Sequence, residues 1–110
     1  MAAQAILIGA GPYDTACFHC QQAVEKYMKG FLAFHGREFP FTHDLDELAI
    51  LCDEIDPSLN LTTPEVISLT DYAVRLRYDN DFWPTKEDAE SALEITSRVR
   101  QAVTRATGSL

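Results

Sequence analysis

The sequence lacks any hydrophobic run of about 18 residues, the length that a membrane-spanning helix needs. Near its start, the apolar stretch from Ala5 to Ile8 is short and follows no basic residue, so it does not have the form of a signal peptide. We therefore expect a cytoplasmic protein without a membrane partner.

Basic residues are scarce. The chain has 9 Lys and Arg against 17 Asp and Glu, which gives a net charge of −8. Residues 44–56 hold six acids and no base, whereas the last turns carry Arg98, Arg100 and Arg105. Because phosphate neutralisation supplies most of the affinity for long nucleic acids, a broad nucleic-acid groove is excluded. A local basic pocket, or an acidic surface that docks a basic partner, remains open.

Cysteines are few, and their number is odd. The three are Cys17, Cys20 and Cys52, and without an export signal they indicate reduced thiols. Cys17 and Cys20 have the Cys-x-x-Cys spacing, but a redox site of that type follows a strand, and a zinc site needs a fourth ligand. We expect buried, inert thiols, no metal and no cofactor.

What the sequence does contain is helical periodicity, without the alternation typical of strands. Residues 1–110 form one domain, with a short first helix over Ala2–Ile8. Short loops between sequential helices predict an all-α, antiparallel up-and-down four-helix bundle with this short extra N-terminal helix.

The four main helices have recognisable ends. The second helix begins near Asp14 and stops at Gly36, and its apolar stripe comprises Cys17, Cys20, Val24, Tyr27, Met28, Phe31 and Phe34. The third is capped by Thr42 or Asp44, where Asp44 and Glu47 resemble a capping box, and it ends at Asp56-Pro57-Ser58. Thr63 caps the fourth, and Thr85 with Asp88 forms the capping box of the fifth, which ends at Gly108.

Several motifs resemble the HEPN family (higher eukaryote and prokaryote nucleotide-binding). Residues 16–30 read ACFHCQQAVEKYMKG, and Thr42-His43-Asp44-Leu45 begins the next helix. Tyr72 and then Arg77-Tyr78-Asp79 follow in the same order as in the family. The resemblance covers about Tyr13 to Val103 and includes several motifs, which makes it specific.

The resemblance implies a homodimeric helical module that binds a nucleotide or an RNA end. Such modules often act beside a minimal nucleotidyltransferase encoded by a neighbouring gene, as a toxin–antitoxin or defence pair. The family usually has a full first helix where this chain has only Ala2–Ile8. We expect part of the groove on the second and fifth helices to be exposed, which would favour a dimer.

The resemblance leaves two alternatives open. Ribonucleases of the family carry Arg, four to six residues, then His, but no His follows Arg75 or Arg77 at that spacing. Arg37 and His43 match formally, and we interpret that match as accidental. A metal-independent ribonuclease is therefore less favoured than a binding module, and a plain protein-interaction module is the other alternative.

The candidate nucleotide-binding residues are Lys26, Lys29, Arg77, Gln22 and Arg75. Lys26 and Lys29 share one side of the second helix and suit a phosphate, although Glu25 is spaced to pair with Lys29. Of the two amides Gln21 and Gln22, we expect at least one to be structural.

The fourth helix and the loop after it add further candidates. Arg75 and Arg77 point about 200° apart around that helix, so only one of them is expected to face a given ligand. Arg77 suits a phosphate or an ion pair with Asp79 or Asp81. Phe82 and Trp83 either stack on a base or pin their loop to the bundle.

His43 is the one weak candidate for catalysis, as an acid or base near neutral pH. Along the chain its obvious carboxylate neighbour is Asp44, and adjacent helix residues do not face each other. The sequence therefore predicts a hydrogen-bonding role for His43 at the start of the third helix.

Overall fold

The computed structural model describes residues 13–70 and 84–108. In these ranges the regular structure is helical and contains no strand: α1 (Tyr13–Phe34), α2 (Leu45–Ile55), a 3-10 turn (Pro57–Leu59), α3 (residues 64–70) and α4 (Lys86–Thr107). The prediction of an all-α helical bundle is confirmed. The expected helix over Ala2–Ile8 lies outside the described residues.

Helix α1 ends as the sequence predicted, at a glycine. Gly36 has a φ of 66°, a left-handed conformation that costs glycine little. The N–H of Arg37 donates to the Leu32 carbonyl at 2.9 Å, and the N–H of Gly36 donates to Ala33 at 3.0 Å. This Schellman motif satisfies carbonyls that the helix end would otherwise leave unpaired. At the other end, the helix begins at Tyr13, next to Asp14, near which the sequence predicted its start.

Helix α2 begins after Asp44, but the expected capping box with Glu47 is wrong. The Asp44 carboxylate accepts from the N–H of Asp46 at 3.0 Å, whereas the N–H of Asp44 donates to Thr42 Oγ1 at 3.0 Å. Thr42 therefore provides the hydrogen bond that was assigned to Glu47. Both residues proposed as alternative caps contribute to this helix start.

The other predicted helix starts are confirmed. Thr63 Oγ1 accepts from the N–H of Val66 at 3.3 Å at the start of α3. At α4, Thr85 Oγ1 accepts from the N–H of Asp88 at 3.1 Å, and the Asp88 carboxylate accepts from the N–H of Thr85 at 2.9 Å. This reciprocal pair is a complete capping box. The end of α4 at Gly108 also agrees with the prediction.

Helix α1 is central to the described core, since it packs against both α2 and α4. The largest fully buried side chains are Phe31, Met28, Leu32, Leu45, Leu48, Leu69, Val24, Val99 and Val103. The expected burial of Phe34 is wrong, because its side chain is 56% exposed. Phe34 is the last residue of the helix, where the apolar stripe ends. Helix α4 contributes Ile95 to the core as well.

Candidate functional site

Three polar side chains form a strip along one side of α1. Gln22 and Lys26 are exposed, and Lys29 is partly buried, with 23% of its side chain accessible. Successive residues of a helix are rotated by about 100°, so all three fall within about 60° of one another. We call Gln22, Lys26 and Lys29 the polar strip. Its geometry agrees with the expectation that the two lysines share a side.

Lys29 is held by two neighbours. Its Nζ lies 3.1 Å from Glu25 Oε2, which confirms the predicted pairing one turn apart. The same Nζ lies 5.7 Å from the centroid of the Phe41 ring, within cation–π range. Phe41 itself is 100% exposed, which is unusual for a large aromatic side chain. The ammonium of Lys29 therefore sits between a carboxylate and an uncovered ring.

Glu25 binds a second partner, which sequence reasoning missed. His43 Nδ1 lies 2.9 Å from Glu25 Oε1 and 3.1 Å from Oε2. The expectation that Asp44 is the only carboxylate near His43 is therefore wrong. The two residues are far apart along the chain, and they meet because the loop before α2 crosses the side of α1. The signal in the sequence is only that Glu25 and His43 belong to two motifs of one family.

The charge of Glu25 follows from these contacts. Burial by itself would raise the pKa of Glu25, but hydrogen bonds from His43 and Lys29, together with the charge of Lys29, hold the pKa below its usual value. The carboxylate is therefore ionised at neutral pH. Gln21 Nε2 also donates to Glu25 Oε1, at 3.3 Å.

The imidazole of His43 is fixed at one nitrogen and open at the other. Because an ionised carboxylate only accepts hydrogen bonds, Nδ1 carries the proton that points at Glu25, and Nε2 is left for another partner. The side chain is 75% exposed. Gln21 Nε2 also donates to the backbone carbonyl of His43 at 3.3 Å, so α1 anchors both the ring and the backbone of this residue. Gln21 is thus the structural amide of the Gln21–Gln22 pair.

Two depressions that share the Tyr27 side chain lie along α1 and α4, on the side of α1 away from Glu25. One of them is lined by Ala23, Lys26 and Gly30. The other has a volume of about 810 Å³ and is lined by Arg100, Gln101, Thr104, Arg105 and Gly108. We call the two depressions together the Tyr27 groove. Lys26 lies on one side of the ring and two arginines lie on the other, where the depression has the volume of a small-molecule site.

Arg75 and Arg77 lie outside the described residues, as do Phe82 and Trp83. The juxtaposition of Lys29 and Arg77 expected from the sequence therefore stays a prediction. Among the residues that the structure describes, Lys26 has no ion-pair partner, whereas Lys29 is paired.

The three cysteines are free and buried, in agreement with the prediction of inert thiols. Burial, together with the charge of Asp53, raises the pKa of the Cys52 thiol to about 12. Burial also raises the pKa of Cys20, against a hydrogen bond with Thr96 that lowers it. In residues 13–70 and 84–108, no group of three His, Cys, Asp or Glu side chains is arranged to hold a metal ion.

No helix within the described ranges is both long enough and apolar enough to cross a membrane. The family model of the HEPN domain matches residues 1–106. No curated protein and no solved structure matches the chain.

Proposed function

Since this chain belongs to the HEPN family, we propose that it is a helical module that binds a nucleotide or the end of an RNA. The proposed contacts are the polar strip, with Arg77 and Arg75 added from the part of the chain that the structure does not describe. Lys26 and Lys29 would meet phosphate oxygens as point charges, and Gln22 would donate its amide hydrogens.

The observation that carries this proposal is the position of Lys26. Its side chain is exposed, it has no ion-pair partner among the described residues, and it borders the Tyr27 groove. Arg100 and Arg105 line the same groove beyond Tyr27. On a chain with a net charge of −8, three cations around one aromatic ring form a local site for an anion with an apolar, stackable part. A nucleotide has both properties.

Titration calorimetry with a nucleoside triphosphate tests the proposal. We expect wild-type binding in the micromolar to millimolar range, and we expect K26A and R100A each to weaken it about tenfold, roughly the effect of one lost phosphate contact. K86A is the matched control, because Lys86 is an exposed lysine at the far end of α4. Absence of binding at millimolar concentration, or equal losses in K26A and K86A, would refute the proposal.

We propose a homodimer that associates with a minimal nucleotidyltransferase in a toxin–antitoxin pair, as is frequent for this family. Light scattering of the purified chain measures the dimer, and co-expression with a nucleotidyltransferase encoded beside it measures the complex. A monomer at micromolar concentration that does not co-purify with such a partner would contradict both parts.

A metal-independent ribonuclease is the second candidate. The orientation of His43 by Glu25 favours it, since a general base must be held with one nitrogen available. Arg37, which completes the formal motif with His43, is instead paired with Glu54 at 2.9 Å. Cleavage of a structured RNA by wild type but not by H43A would favour the enzyme over the binding module, and equal activity in both would remove His43 from any mechanism.

A further inference from the structure

The surface around His43 brings together four groups. They are the exposed Phe41 ring, the Lys29 ammonium beside it, the open edge of His43, and the Glu25 carboxylate, which contacts both Lys29 and His43. Phe41 and His43 belong to the loop before α2, whereas Lys29 and Glu25 belong to α1. We call these four residues the loop cluster.

The net charge of the loop cluster depends on whether His43 is protonated. Glu25 contributes −1 and Lys29 contributes +1, so the cluster is neutral when His43 is neutral. When His43 is protonated the cluster carries +1, and Nε2 becomes a hydrogen-bond donor instead of an acceptor. Only the protonated state therefore offers an anion both a net positive charge and a second donor.

We propose that the loop cluster binds the phosphate of a nucleotide between Lys29 and protonated His43, with the base stacked on Phe41, and that it releases this ligand when His43 loses its proton. This proposal rests on the proposed function, because it assumes the same class of ligand. Glu25 and Tyr27 point about 160° apart around α1, so the loop cluster is a contact separate from the Tyr27 groove. The proposal also explains why a fully exposed phenylalanine lies next to a cation: the ring offers a base a stacking surface.

Other charges near His43 do not reverse this dependence. On α1 the ionisable groups in contact with the ring or its carboxylate are Glu25 and Lys29. At the start of α2, the acids nearest along the chain are Asp44, Asp46 and Glu47, and carboxylates as a class titrate well below neutral pH. The lowered pKa of Glu25 keeps that carboxylate ionised as well. Among the side-chain types of the loop cluster, imidazole is the one that ordinarily changes charge near neutral pH.

The experiment is calorimetry of adenosine 5′-monophosphate binding at about pH 5.5 and about pH 8, on either side of the ordinary histidine range, with wild type and H43Q. The ligand phosphate also titrates in this range, but it does so equally for both proteins, so the ratio of the two affinities isolates His43. We expect this ratio to be about tenfold larger at the lower pH, the effect of one charge-assisted hydrogen bond. H35Q is the matched control, because His35 is exposed and its ring packs against Phe31 and Phe34.

Two further variants show whether the loop cluster binds a ligand or only anchors the loop to α1. E25Q removes the charge that cancels Lys29, so we expect it to bind the nucleotide more tightly than wild type at about pH 8. If Glu25 only anchors the loop, E25Q binds more weakly instead. F41A should weaken the binding of both the nucleotide and adenosine, while F34A, which removes another exposed phenylalanine, should weaken neither.

The outcomes distinguish this inference from the proposed function. No binding of the nucleotide at either pH refutes both. Binding that is lost in K26A but has the same pH dependence in wild type and H43Q leaves the proposed function standing and overturns the role of the loop cluster. Melting curves of each variant at both pH values establish that a loss of affinity is not a loss of folding.

Discussion

The carboxylate of Asp53 holds the backbone N–H of Leu61, with Oδ1 at 3.0 Å and Oδ2 at 3.1 Å. Oδ2 also accepts from the N–H of Thr62 at 2.9 Å. These two N–H groups lie in the connection between α2 and α3, after the turn at Asn60, whose φ is 51°. One side chain of α2 thus fixes the path by which the chain reaches α3.

Replacing Asp53 should therefore loosen this connection. We expect D53A to lower the free energy of unfolding by about 2 kcal/mol, because two backbone donors lose a charged acceptor. D53N keeps one acceptor oxygen and should cost about half as much. Urea denaturation measures both. The control is E94A, which removes an exposed acid from the surface of α4; a loss in E94A equal to that in D53A would contradict this account.

Local signals in the sequence predicted the helices well. The glycine after α1 and the Thr85–Asp88 pair before α4 act on residues within one turn, so their geometry follows from the sequence itself. Where two acceptors compete for one donor, the local rule failed. The N–H of Asp44 had both Thr42 and Glu47 within reach, and Thr42 is the one that accepts from it.

The candidate site was predictable only where its contacts lie within one helix. The pairing of Glu25 with Lys29 follows from helix geometry. The contact of Glu25 with His43 depends instead on how a loop without regular structure crosses α1. No periodicity encodes that crossing, so the orientation of His43 emerged only in three dimensions. The arginines that line the Tyr27 groove from α4 were also missed as site residues, because the sequence does not show how α4 faces α1.

Two apolar residues of α2, one buried and one exposed, allow a test of how this helix packs. Leu48 is fully buried, whereas the side chain of Ile50 is 45% exposed. We expect L48A to lower the free energy of unfolding by about 3 kcal/mol, because it leaves a cavity against α1. I50A should cost less than about 1 kcal/mol, since its neighbourhood is already open to water. Equal losses in the two variants would show that α2 does not pack as described.

The thiols should be unreactive in the folded protein. All three cysteines are buried, and the pKa of Cys52 is raised to about 12, so almost no thiolate forms at neutral pH. We expect a thiol reagent such as iodoacetamide to label them only after denaturation. S91C provides the positive control, because Ser91 is exposed on α4. Rapid labelling of the native wild-type chain would contradict the burial of these residues.

Glu25 should make the stability of the fold sensitive to acid. Its pKa in the folded protein is below its ordinary value of 4.5, so the unfolded chain takes up a proton more readily than the folded one. The stabilisation is complete above about pH 4.5 and is lost as the pH falls through the folded-state pKa.

In E25Q this contribution is absent, so the free energy of unfolding should fall less steeply than in wild type below about pH 4.5. E94Q, in which an exposed acid of α4 is changed, should keep the wild-type slope. Urea titrations at successive pH values give both slopes. If E25Q and wild type lose stability in parallel on acidification, then the carboxylate does not hold His43 and Lys29 in the way that the distances indicate.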